Sequence, residues 1–319
     1  MSGDIPGIVI VGPTASGKSR LALALAPRFN GEIVSCDALQ VYRHMDIGTA
    51  KVSKSDQAMV PHHMLDVQDP DRDFSAGDYQ RMAREAIQGI HERGNITIVA
   101  GGTGFYLRAL IEGLFEGPSR SEEMRWRMRH ILRRKGSAFL HRRLQKVDPA
   151  SAARITEADG ERVIRAYEVY LLTGKTMDWW QKQPRDTFHG YCWLKIGIDV
   201  SREKLYARIN RRVEEMFEGG FLDEVRSLLV RFPRNAHAFK AIGYSQALDH
   251  LDGHLTLQEA IADTQLQSRH YAKRQLTWFR ADKSITWLDG QQDSAVLQTK
   301  ASAMIEEFLG KMGTATKTT

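Results

Sequence analysis

Cysteine is scarce in this 319-residue chain: only Cys36 and Cys192 occur, in no C-x-x-C or zinc-like spacing. That scarcity argues against a disulfide scaffold and for a reducing compartment. Long apolar runs are missing as well. The run Ile8–Val11 stops at Gly12, far short of a signal peptide or a membrane span, so a soluble, cytoplasmic chain that meets no membrane is expected. No internal repeat is present. Metal-ligand spacing is missing too. His62 and His63 follow Pro61, adjacent side chains of an extended segment point to opposite sides, and no third ligand is suitably spaced, so both read as structural.

What the chain does contain is the composition of a globular protein, 42% hydrophobic and 26% charged, with 45 Lys+Arg against 39 Asp+Glu and a formal charge of +6. The length suffices for two modest domains, or for one domain with a large insertion. A mild positive excess points to an anionic partner only where it is concentrated. Here it is concentrated: between Arg120 and Lys146 there are ten Lys or Arg residues and two acids, Glu122 and Glu123, so this run alone exceeds the net charge of the whole chain. Such a run is either a solvated helix face or a phosphate-binding surface. Trp126 and two histidines are interleaved with the charges, and this favours nucleic acid. A second basic stretch, QSRHYAKRQLTWFR, places Arg269, Lys273 and Arg280 on one helical face, with Leu276 and Trp278 suited to anchor it.

The strongest local signal is Gly12-Pro13-Thr14-Ala15-Ser16-Gly17-Lys18-Ser19, which fits G-x-x-x-x-G-K-[ST] at every fixed position. It follows a short apolar run and opens an apolar-periodic segment. In that context the glycines let backbone N–H groups face a di- or triphosphate, Lys18 adds a cation, and Ser19 offers a hydroxyl to Mg²⁺. The motif does not say which phosphate is held. Asp37 follows a second apolar run, Glu32–Ser35, and is the only obvious carboxylate of the metal-binding kind in the first hundred residues. It reads as a magnesium ligand, a turn residue, or a base acting on an acceptor. Gly101-Gly102-Thr103-Gly104 follows a third run, Ile96–Val99. It is either a tight turn or a second ligand loop, with Thr103 at the carboxyl end of a sheet.

The pattern predicts strands over 8–11, 32–35, 96–99 and 193–199. It predicts helices over 18–29, from the capping-box spacing at Ser75–Asp78 to about 90, and from 201 toward 218. Alternating strands and helices imply an α/β fold, a P-loop NTPase-like core with a parallel sheet and ligands at the carboxyl ends of its strands. The stretch 117–190 is charge-rich and helix-like. The expected organisation is a core from 1–116 and 191–309, an all-helical basic insertion over 117–190, and a disordered polar tail over 310–319.

Taken in order, GPTASGKS, SCDALQVYRHMDIGTAK, PHHMLDV, GGTGFYLRALIEG, ERVIRAYEVYLLTGK, KAIGYSQAL and YAKRQLTWFR resemble the bacterial tRNA dimethylallyltransferases (tRNA isopentenyltransferases) over about residues 8–289. The resemblance implies transfer of a dimethylallyl group from dimethylallyl diphosphate to N6 of the adenosine immediately 3′ of the anticodon, with release of diphosphate. It implies Mg²⁺ as cofactor, the tRNA anticodon stem-loop and the allylic diphosphate as partners, and a monomer. By position, Asp37 matches the catalytic acid, and Thr103 and Arg212 match further catalytic positions. Asp37-Ala38-Leu39-Gln40, Thr103, Arg125 and Glu161-Arg162-Val163-Ile164-Arg165 match tRNA contacts, with Gln40 suited to reading a flanking adenine edge. Ala38 stands where the family commonly has Ser, Glu161 where many members have Gln, and Ser19 where Thr is commoner. Two other activities remain open on the sequence: a P-loop kinase, suggested by DVSREKLYARINRR, and an RNA-binding P-loop switch.

Overall fold

The computed structural model describes residues 4–315. The chain divides into two compact units, with bounds Met1–Ile111 plus Phe188–Thr319 for one and Glu112–Thr187 for the other. The first is built on β1 (Ile5–Val11), α1 (Lys18–Leu25), β2 (Gly31–Cys36), α2 (Lys54–Met59), β3 (His62–His63), α3 (Ala76–Glu92), β4 (Ile96–Gly101) and α4 (Gly104–Ile111). The second holds α5 (Glu122–Lys135), α6 (Ser137–Val147), α7 (Pro149–Arg154), α8 (Gly160–Thr173) and α9 (Met177–Gln181). The first unit resumes with β5 (Tyr191–Asp199), α10 (Arg202–Glu218), α11 (Phe221–Arg231), α12 (Tyr244–Leu251), α13 (Leu257–Ala281), β6 (Ile285–Asp289) and α14 (Ser294–Ala315).

The six strands form one sheet in the order β3-β2-β4-β1-β5-β6, and every pairing is parallel. Residues Ile8–Val11 and Ile98–Val99 are almost wholly buried, as a parallel sheet covered on both faces requires. Register decides where the site lies. Gly101 pairs with Val11 on one side and with Cys36 on the other. The three central strands therefore end level, and Gly12, Asp37 and Gly102 leave the sheet side by side.

Local chemistry explains most element ends. Ser75 and Asp78 form a reciprocal capping box at the start of α3, whose buried stripe Tyr79, Ala83, Ile87 and Ile90 follows the helical period. The helix expected over 18–29 stops earlier: α1 ends at Leu25, and Pro27 starts a separate 3₁₀ turn, Pro27–Phe29. The second unit begins at Glu112 rather than at Gly117, because its two ends pair: Asp186 N donates to Leu114 O at 3.2 Å, and Phe115 bridges Arg185. The tail expected from Gly310 is helical as far as Ala315, since buried Leu297, Ala301 and Ile305 anchor α14 at four-residue spacing. Residues 316–319 of that tail lie outside the described residues. Among the described residues no helix is long and apolar enough to cross a membrane.

Glu32, at the amino end of β2, ties strands to helix. Arg93 donates to both its oxygens at 2.9 and 2.8 Å, Asn95 donates to Oε1 at 2.7 Å, and His63 Nε2 lies 2.6 Å from Oε2. These bonds hold the carboxyl down to about 2, the Arg93 hydrogen bond leading. A carboxylate with a depressed pKa stabilises the fold above its unfolded value and loses that contribution as pH falls through the folded one. Glu32→Gln is expected to cost about 2 kcal/mol at neutral pH. In urea titrations the gap from wild type should close as pH falls from about 4.5 toward 2; a pH-independent gap would contradict this role.

Candidate active site

The loop after β1 is built to expose backbone donors. Ala15 (φ 61°) and Gly17 (φ 95°) are both left-handed, and Ser16 N donates to Pro13 O at 3.2 Å, which curls the loop before α1. Gly17 caps that helix with no side-chain bond, and no acidic residue sits in its first turn. The N-terminal N–H groups and their positive end of the dipole therefore face whatever enters the loop. Ser16 Oγ is buried without a hydrogen-bond partner. Lys18 is half-buried with Nζ donating to Pro13 O at 3.3 Å. Burial pulls its pKa down to about 8, with the Asp37 charge opposing and Arg212 reinforcing the fall.

Thr14, Lys18, Ser19, Asp37 and Arg212 line a cleft of about 410 Å³, within the range of small-ligand sites. Of the three readings open to Asp37 on the sequence, the geometry shows the turn directly. Oδ1 accepts from Leu39 N (2.9 Å) and Gln40 N (3.3 Å), an Asx turn, while the carboxylate still faces the cleft. Thr103 holds this turn from the neighbouring strand: its hydroxyl accepts from Ala38 N at 3.0 Å and its N–H donates to Cys36 O at 3.1 Å. Thr103 also contacts Tyr271, whose phenol burial pushes up to about 12. Arg212, on α10, reaches Thr14 Oγ1 at 3.3 Å and Thr49 O at 3.4 Å, and burial lowers its pKa against the pull of Asp37. Lys18 and Arg212 thus face the Asp37 carboxylate in a partly desolvated cleft.

Several expected contacts sit differently. Gln40 lines the cleft but its amide is turned inward: Oε1 accepts from Ser35 Oγ at 3.0 Å, and Nε2 donates to Thr49 O and Ala50 O at 3.4 and 3.3 Å. A base edge would reach this amide only after those bonds break, so the structure makes Gln40 a support of the 49–50 loop. Val163 and Ile164 are fully buried in the core of the second unit and cannot meet RNA; on α8 the helical period leaves Arg162 outside while these two face inward. Arg125 is 14% exposed and shares the fully buried Glu168 with Arg165, Ser121 N completing the set at 2.8 Å. Glu161 holds Arg129 with two 2.9 Å bonds. The exposed cations of the basic run are Arg127, Arg133, Arg134, Lys135, Arg142, Arg143 and Lys146, with Trp126 64% exposed and stacked on His130.

On α13 the cleft is lined by Thr264, Ser268, Tyr271, Arg274 and Gln275. At about 100° per residue, Arg269, Lys273 and Arg280 fall on the opposite side of that helix. Arg269 donates to Asn210 Oδ1 at 2.7 Å and Arg280 to Asp199 Oδ1 at 3.1 Å, while Lys273 is exposed. The stripe is real but faces away from the cleft, and the cation this helix turns inward is Arg274. Trp278 anchors less than expected, being 39% exposed under the Arg108 guanidinium. Lys240, Tyr271, Arg274 and Gln275 have no motif of their own; their only trace in the sequence is that they fall within blocks shared with the transferases.

Among the described residues no group of three or more His, Cys, Asp or Glu could hold a metal. His62 Nδ1 is bonded to Val60 O at 2.7 Å and His63 to Glu32, both structural partnerships. What the cleft does offer at the P-loop is the Ser19 hydroxyl, and its lining holds one carboxylate, Asp37. That sparse oxygen set suits Mg²⁺, which keeps waters and takes substrate phosphate oxygens, and does not suit a metal that needs three or four protein ligands.

A family model described as IPP transferase matches residues 40–282. A tRNA dimethylallyltransferase from Koribacter versatilis is 47% identical over 93% of this chain and 97% of its own length. Another from Solibacter usitatus is 47% identical over 96% of this chain and 100% of its own. Among solved structures, the full-length tRNA isopentenylpyrophosphate transferase of Bacillus halodurans superposes with a TM-score of 0.72 at 40% identity, covering 97% of this chain and 98% of that one. A eukaryotic dimethylallyltransferase acting on tRNA gives 0.77 at 27% identity, over 96% and 80%.

Proposed function

The chain belongs to the IPP transferase family, and on that premise we propose that it transfers the dimethylallyl group of dimethylallyl diphosphate to N6 of the adenosine immediately 3′ of the tRNA anticodon. The observation that carries this reading is the level ending of three strands, which faces a phosphate-binding loop and a single carboxylate, Asp37, across one cleft. P-loop backbone amides other than those of Thr14 and Ser16, which are already donated, receive the diphosphate together with Lys18 and Arg212. As the allylic C–O bond breaks, negative charge grows on the diphosphate oxygen, and these preplaced donors stabilise it. Ser19 would hold a bound Mg²⁺, which would supply further neutralisation of the same charge. The adenine N6 lone pair is delocalised into the ring, so attack needs a proton acceptor, and Asp37 fills that role with the oxygen its turn leaves over. The adenosine must leave its stack to reach the cleft, which is cheapest in a flexible loop.

Incubating the chain with unmodified tRNA, Mg²⁺ and dimethylallyl diphosphate, then digesting the tRNA to nucleosides, tests this. N6-dimethylallyladenosine mapping beside the anticodon supports it. Unmodified tRNA together with ATP-dependent phosphoryl transfer would put the kinase activity in its place.

The tRNA phosphates are assigned to exposed cations that include Arg127, Arg133, Arg134 and Arg162 on the second unit and Lys273 and Arg280 on the first. Arg125 and Arg165 shape that surface through Glu168. Replacing Arg127, Arg133 and Arg134 together by Gln should weaken tRNA binding and make the slope of log Kd against log salt shallower by about 2–3. An unchanged slope would return these residues to a solvated face.

A further inference from the structure

Gln275 on α13 is 5% exposed, and its amide joins two loops that the sequence leaves far apart. Oε1 accepts from Thr14 N at 2.8 Å, and Nε2 donates to Gly102 O at 2.9 Å. The approach is close: a Cβ on Gly102 would run into Nε2 itself. Each end of the amide leads toward one side of the reaction. Thr14 carries the hydroxyl that meets Arg212, on the diphosphate side. Gly102 precedes Thr103, whose hydroxyl holds Ala38 N next to Asp37, on the acceptor side.

Resting on the prenyl-transfer reading, we infer that Gln275 is a positioning residue that sets the donor loop and the acceptor turn at the separation in-line transfer needs. Its amide is committed at both ends to backbone rather than to the open cleft. An amide is the one side chain of this length that can accept from one backbone and donate to another in a single plane. A misplacement of an ångström at a reacting centre costs about 100-fold in rate, so the contribution appears in the transfer step rather than in binding.

The test is Gln275→Met, which keeps the length of the side chain and removes the amide. With both substrates saturating, kcat per tRNA-binding site should fall about 100-fold. Dissociation constants for tRNA and for a non-reacting thio analogue of the donor should each change by less than about threefold. Gly102→Ala, which displaces Nε2 with Gln275 intact, should show the same division and serves if the first variant does not fold. An unchanged kcat in a folded variant, or a loss confined to either dissociation constant, would overturn the assignment. A wild-type chain that transfers nothing would remove the prenyl-transfer reading instead.

Discussion

Asp37→Asn is expected to slow dimethylallyl transfer about 10²–10⁴-fold while leaving tRNA binding close to that of the unsubstituted chain. The structure selects Asn over Ala. Oδ1 of Asp37 accepts two backbone N–H groups, and the amide oxygen of Asn preserves that turn while abolishing the proton acceptor. Asp37→Ala removes both, so its loss includes a displaced Leu39–Gln40 segment and is harder to interpret. A second signature comes from charge. Asp37 opposes the fall in the Lys18 pKa; without it, Lys18 should lose its proton at lower pH, and donor kcat/KM should decline at correspondingly lower pH. Transfer at full rate by Asp37→Asn would eliminate the general-base role.

Lys18→Met should lower kcat about 10²–10³-fold, the usual loss on removing one donor aimed at charge that develops in the transition state. Its pH dependence separates this from a packing defect. In the unliganded chain burial brings Lys18 down to about 8. The ammonium form, to which diphosphate binding is assigned by the proposed function, predominates below that value and is lost as pH rises through it. Donor kcat/KM in the wild type should therefore fall above pH about 8, whereas kcat should hold to higher pH because the bound diphosphate retains the proton. The alkaline limb should be absent in Lys18→Met. A limb that persists unchanged in the variant would mean that another group titrates there.

What was legible in the sequence is what contiguous chain can encode. The P-loop works through consecutive backbone amides, so eight residues in a row announce it, and Asp37 and Thr103 are legible because they lie one and two residues past strands that end level with β1. Arg212 was accessible only through resemblance, since nothing in YARINRR states which arginine turns toward Thr14. Gln275 lies 261 residues from Thr14, and only the packing of α13 brings its amide to the loop. The errors have equally local causes. Carrying a contact motif over as the continuous span 161–165 swept in Val163 and Ile164, which the period of α8 buries. Arg269, Lys273 and Arg280 do share a face, but periodicity cannot say which face of a helix docks. Gln40 lies in a loop segment where a polar side chain reads as exposed, and the turn made by Asp37 folds it inward.

The central claim is that the P-loop holds the diphosphate of an allylic donor and releases it when the acceptor nitrogen takes the carbon. A single-turnover reaction with enzyme in excess over tRNA, dimethylallyl diphosphate labelled in both the allylic carbon and the phosphate, and ATP present tests it most directly. The account predicts one intact diphosphate released for each dimethylallyl group retained on tRNA, with ATP untouched. Cleavage of ATP, or diphosphate release without label on the tRNA, would contradict it.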